Sequence, residues 1–205
     1  MQKFIAIFSH VFYPLFIPVY ATLFYFLLAG QYMYTQEIYL IFLQVFILTI
    51  LLPVSVFYLL RSLGHIKTTM LREKRERIVP LGVYCLLLLM LIQYSFTGFR
   101  IPELYYFFLG LLLSNALAFI LIIAGHKASL HMMAVSALTL FVISLSIYFH
   151  LRFIYIIAFF ILSSGFVATS RLQVKAHSPY ELILGTLVGI VPQVGLWFLW
   201  LLPTL

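Results

Sequence analysis

The chain contains no aspartate, and charged residues of any kind are scarce. Only 8% of its 205 residues are charged, whereas 65% are hydrophobic. Soluble globular domains carry roughly a quarter charged residues, so this composition indicates a protein whose solvent is the lipid bilayer. The absence of aspartate excludes calcium loops, aspartyl-phosphate enzymes, aspartic dyads and the Asp-rich magnesium sites of membrane prenyltransferases.

Cysteine is almost as rare, because Cys85 is the only one and stands within an apolar run. An intrachain disulfide framework and a cysteine metal site are therefore excluded. The N-terminal Met-Gln-Lys precedes an apolar stretch with no small-residue cleavage site, so we expect a membrane helix there rather than a removed signal peptide. The net charge of +7 is explained by cations in short loops beside membrane spans. We expect no nucleic-acid partner.

Long apolar runs divide the chain, and each approaches the roughly 20 residues that a helix needs to cross a bilayer. None alternates as barrel strands do. Pro14 and Pro18 make the first run kinked or re-entrant, so the runs predict six to seven crossings. We expect an all-α integral membrane bundle forming one polytopic domain over residues 1–205, with runs at Phe4 to Leu28, Ile38 to Leu60, Val79 to Phe96, Leu104 to Ala124, Leu130 to Tyr148, Phe153 to Ala168 and Leu182 to Leu202.

The cations fall almost entirely on one side of this predicted bundle. With seven spans, only Arg100 and Arg152 lie on the opposite side. The positive-inside rule then predicts that the cation-rich side is cytoplasmic, unless many of these cations serve to bind a ligand.

Three polar clusters lie on the cation-rich side: Arg72 to Pro80, His126 to His131, and Ser170 to Glu181. Two spans separate each cluster from the next, and an even number of crossings returns the chain to the same side. The clusters are therefore able to converge. Because ionisable groups are costly to bury at membrane level, a functional site is the default interpretation.

The third cluster contains the signature of a helix start. Ser178, Pro179 and Glu181 have the chemistry of an N-cap, a first-turn proline and the third position of a capping box. Two roles are open to Glu181: it serves this cap alone, or it also accepts a ring N–H of His177, fixes its tautomer and leaves the other nitrogen free to attack. The positive end of this helix and Arg171 would favour a phosphate oxyanion.

The second cluster adds another histidine. His131 lies at the start of a predicted span, with Ser129 as its expected N-cap and Lys127 beside it. Two histidines with several cations suit phosphoryl transfer: His177 or His131 would act as nucleophile, the other as general acid, and the cations would neutralise the phosphoryl oxygens.

These residues resemble the motifs of the type 2 phosphatidic acid phosphatase superfamily of membrane phosphatases. Its third motif is Ser-Arg, five residues, His, three residues, Asp. The corresponding residues here have Glu in place of Asp: Ser170, Arg171, His177 and Glu181. Its second motif, Pro-Ser-Gly-His, corresponds to Ala128-Ser129-Leu130-His131, which keeps the serine and the histidine.

The first motif of that family, Lys, six residues, Arg-Pro, is the most altered. Aligned on Pro80, it places Arg72 at the lysine position and Val79 at the arginine position. Arg77, one helical turn before Pro80, could supply the guanidinium. The resemblance covers Arg72 to Glu181, within a phosphatase-like core of about residues 61–203.

The resemblance implies a metal-independent phosphatase without a cofactor, acting on a lipid phosphate or pyrophosphate in the bacterial inner membrane. His177 would attack phosphorus and form a phosphohistidine, Glu181 would orient it, and His131 would protonate the leaving oxygen. The phosphate would be held by residues from all three clusters: Arg171, Ser129, Lys127, Arg72, Arg77 and Ser170. Bacterial members of that family commonly act on the periplasmic face, whereas the positive-inside rule predicts a cytoplasmic site here. The orientation of the site is therefore open.

The same residues admit three other interpretations. His126 and His131 fit a histidine box of a membrane di-iron oxygenase, but the chain has only six histidines and the others are scattered. A membrane serine protease is disfavoured because no glycine adjoins Ser129. The altered first and second motifs also suit a non-catalytic lipid-phosphate binder, transporter or scaffold that keeps the basic pocket.

Overall fold

The computed structural model describes residues 2–64, 74–96 and 101–204, and within these ranges the chain is helical without any strand. In these ranges, six helices are long and apolar enough to cross a membrane. This confirms the expected all-α membrane bundle. The α-helices of the described residues are α1 Gln2–Val11, α2 Ile17–Ala29, α3 Thr35–Phe46, α4 Leu52–Ser62, α5 Lys74–Ser95, α6 Pro102–Ile123, α7 Leu130–Tyr148, α8 Ile154–Gln173 and α9 Pro179–Trp200.

Helices α3 and α4 form one crossing, Thr35–Ser62, because a π-helical turn over Ile47–Leu51 joins them. Pro53 lies in the first turn of α4. A proline within a helix removes one main-chain donor and clashes with the preceding turn, and a π turn accommodates such a disruption. The other five crossings are α5 to α9.

The first apolar run forms two helices rather than one. Pro14 has no N–H, and its ring clashes with the carbonyl four residues earlier, so α1 ends at Val11. Pro18 lies in the first turn of α2, where a main-chain N–H has no partner within the helix. The predicted kink is therefore confirmed, and it is a complete break.

Together α1 and α2 nevertheless extend from one end of the bundle to the other. Ser9 of α1 is bonded to Arg171 in the last turn of α8, and the Phe24 ring of α2 contacts Phe153 at the start of α8. Helix α1 therefore packs against α8, whereas α2 continues in the same direction and packs mainly against α3 and α7. Together α1 and α2 form one discontinuous helix of the bundle.

Helices α7 and α9 run side by side in parallel and approach closely. A Cβ atom added to Gly185 would overlap the main chain of Ser129, and one added to Gly189 would overlap the main chain of Met133. Small residues four positions apart allow helix backbones to pack closely in membranes. The Ser129 N–H donates to the Glu181 carbonyl at 3.0 Å, so the two helices begin together at the same end of the bundle.

Candidate functional site

A cavity of about 540 Å³ opens at this end of the bundle, between the break in the first helix pair and the helices α4, α5, α7 and α8. Its volume lies in the range of ligand sites, roughly 300 to 1,000 Å³. Most of its wall is apolar, and its polar lining comes from widely separated parts of the chain: Ser9, His10, Tyr13, Arg77, Asn115, His131, Ser170, Arg171 and His177. The three clusters predicted to converge therefore do so, joined by the end of α1.

The His177 ring is held by Glu181 at the start of α9. Nδ1 of His177 lies 2.7 Å from Oε2 of Glu181. The same carboxylate oxygen accepts the Ser178 N–H at 3.3 Å, while the Ser178 hydroxyl accepts the Glu181 N–H at 3.3 Å. The predicted capping box and the predicted histidine contact are both present, and one carboxylate supplies both.

His177 is neutral at physiological pH. Its side chain is buried, and this burial lowers its pKa to about 4; the hydrogen bond to Glu181 opposes the shift, and the positive charges of Arg77 and Lys127 add to it. A carboxylate only accepts, so the neutral ring carries its proton on Nδ1. Nε2 then holds a lone pair, which is the form a nitrogen nucleophile needs.

Arg171 presents a guanidinium that is only partly paired. Its Nη1 donates to the Ser9 hydroxyl at 2.9 Å. Its Nε is buried and has no hydrogen-bond partner among the described residues. A buried donor without a partner costs free energy, so this N–H provides a place for an anionic oxygen at the cavity wall.

His131 lies in the first turn of α7, on the same cavity. Its ring packs edge-on against Tyr13, with 5.4 Å between ring centroids, and it lies close to the main chain of Ser9. Arg171 and His177 are close enough to act on its charge. The two histidines predicted to share one site are thus electrostatic neighbours.

Arg77 is buried in the first turns of α5 and lines the cavity. Its charge acts on Glu181, Arg171 and Tyr13, which places the guanidinium within the site as the resemblance suggested. Arg72 lies outside the described residues, so its assignment as a phosphate ligand stays a prediction. Ser170 is buried in the last turn of α8 and lines the cavity.

Ser129 and Lys127 support the site from behind the cavity wall. Ser129 occupies the N-cap position of α7 as predicted, but the prediction that its hydroxyl caps the helix is wrong. Its main chain is fixed instead by the contact with α9, and its hydroxyl is fully buried without a hydrogen-bond partner in the described parts of the chain. Lys127 Nζ donates to the carbonyl of Ala176 at 3.3 Å, which ties this loop to the residue before His177.

The sequence motifs missed the contribution of α1. Ser9, His10 and Tyr13 line the cavity, although His10 counted as one of the scattered histidines. Burial raises the pKa of the Tyr13 phenol, against the opposing effect of Arg171 and Arg77, so Tyr13 remains a hydroxyl donor. The available signal was a pair of polar residues placed just before Pro14 in an otherwise apolar run.

Among the described residues, no three His, Cys, Asp or Glu side chains form a group that could hold a metal ion. His126, the other member of the candidate histidine box, is exposed, and its ring faces Tyr180 with 6.3 Å between centroids. The spacing of His126 and His131 therefore does not correspond to a shared site.

Comparison with known proteins adds no relative: no family profile, curated protein or solved structure matches the chain.

Proposed function

We propose that this protein is a membrane phosphatase that hydrolyses a lipid phosphate or pyrophosphate, without a metal ion, through a phosphohistidine on His177. The observation that carries the proposal is the 2.7 Å contact between His177 and Glu181 on a cavity that also holds Arg171 and His131. It combines a neutral nucleophile, its orienting carboxylate, a cation and a second histidine.

In the first step, Nε2 of His177 attacks phosphorus while the bond from phosphorus to the lipid oxygen breaks. The bound phosphate dianion favours protonation of the His131 ring from solvent, and the resulting imidazolium donates this proton to the leaving oxygen as general acid. The ring that carries the phosphoryl group is cationic, with its Nδ1 proton still directed to Glu181, whose negative charge stabilises it. Arg171 and Arg77 would neutralise the phosphoryl oxygens as charge develops.

In the second step, water attacks the phosphohistidine. His131, neutral after the first step, accepts the proton of that water, and the bond between phosphorus and Nε2 breaks. Inorganic phosphate leaves, and both histidines return to their starting states. His177 therefore acts first as nucleophile and then as leaving group, and His131 acts first as acid and then as base. The cycle requires no co-reactant besides water.

The apolar part of the cavity supports a lipid substrate. Beyond the cations, its wall is formed by apolar side chains that include Phe57, Val83 and Leu111. An amphiphile fits this division, with its phosphate beside the cations and its hydrocarbon portion against the apolar wall. The motif resemblance to bacterial lipid phosphatases would place the protein in an inner membrane.

The test is phosphate release by the purified protein from a panel of lipid phosphates and pyrophosphates, with a chelator present. We expect His177→Ala to fall to background and His131→Ala to lose about 100-fold or more. His126→Ala is the matched control, because that histidine is exposed near the same loop and should release phosphate at the wild-type rate. Equal release from all variants would exclude the mechanism.

A second candidate is a lipid-phosphate binder or transporter that keeps the pocket without turnover. The break between α1 and α2 favours it, because discontinuous membrane helices line the substrate sites of many transporters. Wild-type protein that binds lipid phosphates from the same panel but releases no phosphate would support this candidate over the phosphatase.

A further inference from the structure

Ser9 occupies an unusual place in the molecule, because it is buried at the end of a short helix and contacts two members of the site. We propose that Ser9 is a positioning residue that orients Arg171 through its hydroxyl and His131 through its main-chain carbonyl. The inference rests on the proposed phosphatase function and extends it to a residue that belongs to none of the three sequence clusters.

The hydroxyl of Ser9 fixes the direction of the Arg171 guanidinium. The contact joins residues 162 positions apart in the chain, at 2.9 Å and in a part-buried setting. A guanidinium is planar, and its five N–H groups have a fixed relative geometry. Fixing Nη1 therefore also fixes Nε, the donor that has no partner among the described residues.

The carbonyl of Ser9 is made available by the helix break. In a continuous helix it would accept the N–H of Tyr13, four residues later. Because Pro14 ends α1, the Tyr13 N–H donates to the His10 carbonyl instead, at 3.3 Å. The Ser9 carbonyl, one of the last four of the helix, is then able to accept from His131.

This contact selects the tautomer of His131. A carbonyl only accepts, so the ring nitrogen that faces Ser9 must carry a proton in the neutral ring. The other nitrogen is left to take up and deliver the proton that moves between His131 and the leaving oxygen. The break at Pro14 thus supplies both contacts from a single residue, one by its side chain and one by its main chain.

The first variant tests the side-chain contact of Ser9 separately from its main-chain contact. Ser9→Ala removes the hydroxyl but keeps the carbonyl, so we expect KM for a lipid phosphate to rise roughly tenfold while kcat and the pH profile stay near wild type. Ser9→Cys keeps the volume with a poorer acceptor and should behave as Ser9→Ala, whereas Ser9→Thr restores the hydroxyl and should recover most of the affinity. Ser164→Ala is the control, because Ser164 is a half-buried serine of α8 that is bonded within its own helix and does not line the cavity.

The second variant tests the main-chain contact of Ser9 separately from its side-chain contact. Pro14→Ala allows the helix to continue and the Tyr13 N–H to recapture the Ser9 carbonyl. We expect kcat to fall roughly tenfold and the pH profile of kcat to shift, while KM changes little. Pro102→Ala is the control, because Pro102 lies in the first turn of α6, outside the cavity lining, and frees no carbonyl at the site.

The outcomes distinguish this inference from the proposed function. If wild-type protein releases phosphate but Ser9→Ala and Ser9→Cys keep its KM, the positioning role is wrong and the phosphatase stands. If wild-type protein only binds lipid phosphates, a Kd raised in Ser9→Ala and restored in Ser9→Thr supports the Arg171 contact although the phosphatase is wrong. Wild-type protein that neither binds nor hydrolyses any lipid phosphate overturns both.

Discussion

Glu181 is the residue at which structural and chemical roles meet. Its carboxylate closes the capping box of α9 and also contacts the His177 ring at 2.7 Å. A cap alone would explain the carboxylate, since capping boxes are common at helix starts. The two roles make different demands on the side chain, because a helix cap needs a hydrogen-bond acceptor whereas a cationic phosphohistidine also needs a negative charge.

Glu181→Gln therefore tests the charge separately from the cap. We expect the variant to lose about 100-fold or more in phosphate release, because the amide neither stabilises a cationic ring nor fixes the tautomer of His177. Ser178→Ala is the matched control: it should cost about 1 kcal/mol of stability through the lost cap and leave the rate near wild type. Equal rate losses in the two variants would assign Glu181 to the cap alone.

The low pKa of His177 makes a second residue-level prediction. The pKa of an unperturbed histidine is about 6.5, whereas burial lowers the pKa of His177 to about 4. In the proposed mechanism the neutral ring is the nucleophile, so the rate of phosphate release should hold as pH falls through about 6.5 and decline only towards about 4.

The lowered pKa of His177 also determines how the free energy of unfolding changes with pH. The unfolded histidine takes up its proton at a higher pH than the folded one, so the contribution to stability is complete above about 6.5 and is lost as pH falls towards about 4. An NMR titration of the ring, assigned with His177→Gln, measures this directly. A midpoint near the unperturbed value would contradict the buried, neutral nucleophile.

At the scale of helices, the site depends on how closely α7 and α9 pack. A Cβ at Gly185 would overlap main-chain atoms of Ser129, which cannot move aside as a flexible side chain would. We expect Gly185→Ala to lower the melting temperature and the rate together, because it separates the starts of the two helices. Gly195→Ala, in open space on the same helix, should be neutral or slightly stabilising. Unchanged stability in Gly185→Ala would show that the close contact is not needed.

The helix boundaries show how much of the fold could be predicted from the sequence. Apolar runs located the six long crossings, but they placed the start of α5 at Val79 and the end of α8 at Ala168, whereas the helices begin at Lys74 and end at Gln173. Hydropathy reports the part of a helix that suits hydrocarbon, and lysine, arginine and glutamate are good helix formers beyond it. Arg77, which the hydropathy pattern left outside the predicted span, is consequently part of α5.

The site was predictable where its chemistry is local in sequence. Four positions separate His177 from Glu181, and a capping box has a recognisable pattern, so that contact could be predicted. The contact between Ser9 and Arg171 could not, because it depends on α1 packing against α8 across most of the chain. No spacing rule reports which membrane helices become neighbours.

At the scale of the whole molecule, the charge distribution predicts which side of the membrane the site faces. The cations beside the cavity share one end of the bundle, and the positive-inside rule predicts that this end is cytoplasmic. In a Cys85→Ala background, Gln173→Cys should be protected in intact cells from a membrane-impermeant thiol reagent, and Arg152→Cys at the opposite end should be labelled. Both positions are exposed. The reverse labelling would show that the cations serve the ligand rather than topology.

The central claim, a covalent phosphoryl group on His177, is tested most directly by trapping it. Purified protein is mixed with a lipid phosphate that carries a radiolabelled phosphoryl group, with chelator present, and quenched in alkali before steady state. We predict an acid-labile, base-stable label on the peptide that contains His177, absent from His177→Ala. Phosphate release without any label on that peptide, or the same label in His177→Ala, would contradict the account.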